Sequence, residues 1–132
     1  MIRAVSSIPA VNAAQTLFVL RSADFQLATD QNFTKLFAGT NYLITSIVAV
    51  RKTGGASVAC AGGIYSAAAK GGNALVAAAQ NWVTLAANVN VVATLAAVAS
   101  TALCNTTPVL SLTTGSTAAI TADVFISGYI ID

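Results

Sequence analysis

The sequence predicts an all-β domain: a jelly-roll-like antiparallel β-sandwich of about eight short strands, preceded by an extended N-terminal arm. Three observations predict it. The last thirteen residues alternate, with Ile120, Ala122, Val124, Ile126 and Ile130 on one face and Thr121, Asp123, Phe125, Ser127 and Tyr129 on the other. β-Branched runs recur along the chain, separated by Gly-, Asn- and Thr-rich turn formers, which is the spacing of a sandwich. Finally, despite much alanine, no stretch sustains a helical period long enough to hold a helix by itself.

Taken in order, residues 1–14 mix Ser, Pro, Ala and Asn without a strand or helix pattern and read as an arm outside the domain, which spans 15–132. Within the arm Ile2, Val5, Ile8 and Val11 recur about every third residue, so they are candidate partner-binding residues able to lie along a groove. Residues 16–21 form the first expected strand, 22–32 a polar connection and 33–37 a second strand. The run 41–52 is apolar on both faces, as expected between neighbours in a sandwich, and ends at Thr53-Gly54-Gly55. Residues 56–65 fit a partner strand with a bulge or close backbone contact at Gly62-Gly63. Residues 74–79 favour helix on propensity, but the space before Gln80-Asn81-Trp82 allows barely two turns, so 74–76 is read as a strand. Residues 82–85 and 89–95 read as two more strands, and 96–103 stays open between strand, loop and a helical turn. The terminal stretch 109–132 is expected to fold as a hairpin turning at Thr114-Gly115-Ser116. Phe125 and Tyr129, large residues on its outward face, join the candidate partner-binding set.

Composition narrows the function classes. Charged residues are 8% of the 132, against a usual ~25%, and hydrophobic types are 56%. Such a surface exposes small polar side chains or is covered by other protein, and extensive covering is the expectation. The net charge of +2 is scattered along the chain without a cluster, which leaves no electrostatic footprint for nucleic acid. Residues 83–103 carry no charge over a length that could cross a bilayer, but Asn88 and Asn90 interrupt the window, no Lys or Arg flanks it, and its β-branched content suits a sheet; no membrane is expected. Cys60 and Cys104 lie among small apolar residues and are expected as buried free thiols. The first residues lack the apolar core of a signal peptide, which points to assembly in a reducing cytoplasm and discounts the sequons at Asn32 and Asn105.

Chemistry is absent from the pattern. There is no histidine and no glutamate, so the commonest general base, the commonest metal ligand and any Ser-His-Asp set are excluded; no enzyme activity, cofactor or metal is expected. Asp24 and Asp30 read as turn formers, the glycine pairs as turns or bulges without a phosphate-loop signature, and Lys70 as a solvated lysine, with a Ser66–Lys70 dyad as its rival. Tyr42, Tyr65, Tyr129 and Trp82 read as core or interface anchors.

Several runs together, Thr29 to Leu36, Asn41 to Ile47, Gly62 to Val76, Leu110 to Thr114 and Ala122 to Tyr129, resemble small β-rich virion proteins of tailed bacteriophages. The resemblance covers about the last hundred residues and does not reach the arm. It implies a jelly-roll module on the outer surface of the phage head, a decoration or cement protein that binds the major capsid protein and itself, as a dimer or trimer, and stabilises the head. The alternative it implies is a receptor- or glycan-binding module of a head fibre or tail, using Trp82, Tyr65 or Tyr129 on an exposed loop.

Overall fold

The computed structural model describes residues 14–39, 41–54, 59–87, 90–96, 103–104 and 106–131. Ten strands account for most of them: β1 (Gln15–Asp24), β2 (Gln31–Asn32), β3 (Thr34–Lys35), β4 (Tyr42–Gly54), β5 (Ala61–Ala67), β6 (Gly71–Val76), β7 (Val91–Val92), β8 (Leu103–Cys104), β9 (Val109–Thr114) and β10 (Ile120–Ile130). A short 3-10 helix, Val83–Ala87, lies between β6 and β7. The arm expected at 1–14, with Ile2, Val5, Ile8 and Val11, lies outside the described residues but for Ala14.

The strands form two antiparallel sheets, one in the order β3-β1-β10-β4-β7 with β8 also on β4, the other β2-β9-β5-β6. The pairings are nested: β1 with β10, β2 with β9, β4 with β7 and β5 with β6. A chain folded as one long hairpin and then rolled gives this order, and it is the jelly roll expected from the sequence. The inner faces meet in one core. Ile120, Ala122, Val124 and Ile126 of β10 and Tyr42, Ile44, Ile47 and Ala49 of β4 face Ile64, Leu75, Leu110 and Leu112 of the other sheet. On β4 the inward set changes parity between Ile44 and Ile47, because Ser127 opposes Ser46 while Gly128 opposes Ile44, leaving Thr45 as the bulged residue.

The terminal hairpin is not formed. β9 and β10 lie in opposite sheets, as rolling requires of these two consecutive strands. Their connection wraps the end of β1: the Ser116 N–H donates to the Phe25 carbonyl at 2.7 Å, and the Phe25 N–H to that of Ile120 at 3.0 Å. Gly115 serves this crossing, since a Cβ there would overlap the Gln26 carbonyl oxygen.

Other elements differ for similar reasons. The strand expected at 33–37 splits at Phe33, with Gln31–Asn32 pairing in one sheet and Thr34–Lys35 in the other, so the chain changes layers there. The segment 82–85 is the start of the 3-10 helix, capped by Asn81, whose Oδ1 accepts the Val83 N–H at 2.8 Å. Of the described residues in 89–95, Val91 and Val92 pair along β4, after which Leu95 bridges to Val76 of the other sheet. Of the strand expected in 56–65, residues 56–58 lie outside the described residues and 61–65 belong to β5, which pairs with β6 and β9, not with β4. The sequence expectation does hold for β4, for β6 despite its alanines, and for the close contacts of Gly62 and Gly63, where a Cβ would overlap Leu112 and the Val76 carbonyl. Among the described residues no helix is long and apolar enough to cross a membrane.

Candidate interaction surface

The outer face of the β10-containing sheet gathers the outward residues named above. Residues opposed across antiparallel strands share a face. Phe125 opposes Val19 of β1 and Val48 of β4, and Val48 opposes Val92 of β7. An apolar row therefore crosses four strands, ending at Val92, which is 68% exposed. Two periods of the alternation along, past Ser127, Tyr129 opposes Leu43, both half-buried.

Polar groups frame this row. Between Leu20 and Ala23 the register of β1 slips against β10, and Ser22 takes a positive φ of 51°. The bulge sends Arg21 across the sheet, its guanidinium 5.4 Å from the centre of the Phe125 ring, with Nη1 3.3 Å from Asp123 Oδ2. Asp123 Oδ1 accepts the Ser22 N–H at 2.8 Å, which ties the carboxylate to the bulge. With Arg21 largely exposed, the ion pair adds little stability; it holds Arg21 over Phe125. At the end of the face near the β4 terminus the Thr53 and Thr121 hydroxyls lie 2.5 Å apart. An apolar centre with a polar rim is the composition of a protein-binding patch, and its carboxylate, Asp123, is engaged by Arg21 and the Ser22 N–H.

Phe125 and Tyr129 both lie on this face, in separate rows. Leu43, Val48 and Val92 were not singled out from the sequence. For Leu43 and Val48 the signal was the two-faced apolar pattern of 41–52, read there as burial between neighbours, whereas only one of those faces packs into the core. Trp82 and Tyr65 do not stand on exposed loops as the glycan-binding alternative requires. Trp82 is 0% exposed, donates its Nε1–H to the Gly62 carbonyl at 3.0 Å and meets the Phe25 ring edge-on at 5.5 Å, while Tyr65 is buried in β5. The core also takes Tyr42, whose hydroxyl donates to the carbonyls of Phe37 and Gly39.

The other candidates are structural. Asp24 Oδ1 accepts the Gln26 N–H at 2.9 Å, closing a turn. The Gln31 carboxamide bonds both the N–H and the carbonyl of Asp24, at 2.8 Å each, in the place a neighbouring strand would take. Asp30 Oδ2 accepts the Ala69 N–H at 2.7 Å; that bond first, then the Ser111 hydroxyl and the charge of Lys70, holds its carboxyl below the usual range. It anchors the β5–β6 turn, where Ala69 and Lys70 both have positive φ, 56° and 59°. The Ser66 hydroxyl accepts the Asn73 N–H at 2.7 Å, and Lys70 belongs to the turn, so no Ser-Lys dyad is built. Cys60 and Cys104 are free and buried, their thiols facing the carbonyls of Phe25 and Thr106. Burial pushes Cys60 up to about 11 and Cys104 upward too, which keeps both protonated and unreactive.

Compared with family models, curated proteins and solved structures, the chain gives no significant match. The fold and the surface thus define a class only: a jelly-roll module with one apolar outer sheet face.

Proposed function

We propose that this chain is a structural virion protein, a decoration or cement module that docks the outer face of its β10-containing sheet on the major capsid protein and associates with itself at the surface of a phage head. The observation that carries the reading is the apolar row of Val92, Val48 and Phe125, framed by the Arg21–Asp123 pair, on a chain with 8% charged residues. A face of this kind suits permanent covering by protein, and broad contact with neighbours is what holds a shell together. Sequence resemblance adds the setting, since the resembling runs cover the first part of β4 and most of the β5–β6 hairpin, β9 and β10. The receptor- or glycan-binding alternative is weakened because two of its three aromatic anchors are buried. No cofactor enters the proposal, nor does a membrane or a nucleic acid. The test is electron microscopy of particles assembled with and without this chain. Added density of jelly-roll size on the outer shell, together with loss of head stability when the chain is omitted, supports the reading; density confined to the tail or absent from the particle overturns it.

A further inference from the structure

The charges of the sandwich are divided unequally between its sheets. The strands β1, β3, β4 and β10 carry Arg21, Lys35, Arg51 and Lys52 against Asp24 and Asp123, whereas β2, β5, β6 and β9 carry no charged residue. Asp24 is occupied by its own turn, where Oδ1 accepts the Gln26 N–H. Within the Arg21–Asp123 pair the imbalance is sharper: the Arg21 side chain is 66% exposed and that of Asp123 17%, so whatever approaches the outer face meets the cation first. The two partners are also unequally satisfied. Asp123 has a donor at each oxygen, the Ser22 N–H at Oδ1 and Arg21 Nη1 at Oδ2. A guanidinium offers a fork of several N–H donors, and among the described residues that of Arg21 has one acceptor, Asp123. Its remaining donors depend on solvent.

We propose that the partner of this face is an acidic protein surface, whose Asp or Glu carboxylate takes Arg21 while apolar side chains beside it cover Phe125, Val48 and Val92. This rests on the docking face proposed above and names the chemistry that the face selects. The guanidinium lies 5.4 Å from the centre of the Phe125 ring, so a partner that covers the apolar row also strips water from Arg21. Donors deprived of water and left without acceptors weaken a complex, and the partner therefore has to supply them. A carboxylate matches the guanidinium fork with two parallel bonds and meets its charge as well. Nucleic acid and anionic lipid offer acceptors too, but the first is held by many basic side chains together and the second by clusters of about four to eight of them. One exposed arginine beside a row of valine and phenylalanine suits a partner that is apolar and carries an isolated acid.

Co-sedimentation of the full chain with undecorated heads tests it, at about 0.1 M salt, where charges are screened only beyond about 10 Å. Arg21→Gln is expected to weaken binding at least tenfold, and Arg21→Glu further still, because the second sets like charges against each other. Lys70→Glu makes the same charge change on the β5–β6 turn of the other sheet and should bind within threefold of the parent. Each variant should keep the parent's circular dichroism spectrum, as expected of exposed side chains; if Arg21→Glu, placed beside Asp123, loses it, Arg21→Gln alone decides. A loss below tenfold in Arg21→Gln, a folded Arg21→Glu that binds no more weakly than Arg21→Gln, or a loss above threefold in Lys70→Glu overturns the proposal and leaves the docking face standing. A parent chain that does not sediment with heads overturns both. Retention of the parent, but not of Arg21→Gln, on duplex DNA or on phosphatidylserine vesicles also overturns the proposal, by making the partner a polyanion of another class.

Discussion

Replacing Trp82 with Phe is a direct probe of how the two sheets are joined. The indole is fully buried, its Nε1–H bonds the Gly62 carbonyl at 3.0 Å, and its edge meets Phe25. A phenyl ring keeps an aromatic neighbour for Phe25 but removes the donor, and a buried carbonyl deprived of its donor costs about 1–3 kcal/mol. The lost ring volume, on the order of 35 Å³, adds about 1 kcal/mol at ~24 cal/mol per Å³. The expected loss is therefore roughly 2–4 kcal/mol, which should lower the urea midpoint by roughly 1–2 M for a domain of this size. Because Trp82 is the sole tryptophan, its fluorescence reports the same transition without a label, and native emission should be that of an indole shielded from water. A loss below about 0.5 kcal/mol, the usual range for a surface substitution, with emission typical of solvent would refute the reasoning and return Trp82 to an exposed loop.

Four further outcomes follow from particular residues. Replacing Ala69-Lys70 with Asn-Gly should stabilise the protein by roughly 1 kcal/mol in thermal unfolding, since both positions hold positive φ and that pair suits them; a lower Tm would contradict the turn. Asp30 is held below its usual range, so its anchoring of that turn is present above the ordinary carboxylate value and lost as pH falls through the lowered one, which amide exchange at Ala69 would follow. The thiols of Cys60 and Cys104 should resist a thiol reagent at pH 8 until the chain unfolds; with Cys60 raised from about 9 to about 11, its contribution to stability is present below pH 9 and lost as pH climbs to 11. Rapid labelling of native protein would contradict this. Gly128→Ala should cost several kcal/mol or prevent soluble expression, because the added Cβ overlaps the Leu43 carbonyl oxygen beside the β4 bulge; near-normal unfolding would refute that register.

Much of the fold was legible because its strongest signals are local. Alternation marked β10 and its buried face, turn spacing marked the sandwich, and shortness overruled alanine propensity at β6. What was not legible is which strands meet. Gly115 marks a sharp connection, yet nothing local distinguishes a hairpin from a crossing between sheets; the Gln26 and Phe25 backbone that decides the matter is about ninety residues away. The jelly roll and the terminal hairpin were incompatible expectations, since rolling places β9 and β10 in opposite layers. Trp82 was misread as strand because its flanks are β-branched, while the capping Asn81 that starts the 3-10 helix was the contrary signal. For the candidate surface, the alternation pointed to Phe125 and Tyr129, but Val48 and Val92 join them only through a register that the sequence does not carry.

Attachment of a double variant to undecorated heads decides whether the outer face of the β10-containing sheet is the proposed docking face. Val48→Glu with Val92→Glu places two charges on that face and none in the core. Docking through this face requires an unchanged circular dichroism spectrum, a Tm within about 4 °C of the parent for a change near 0.5–1 kcal/mol, and at least a tenfold loss of binding in co-sedimentation with heads. A folded variant that binds heads as tightly as the parent would contradict it.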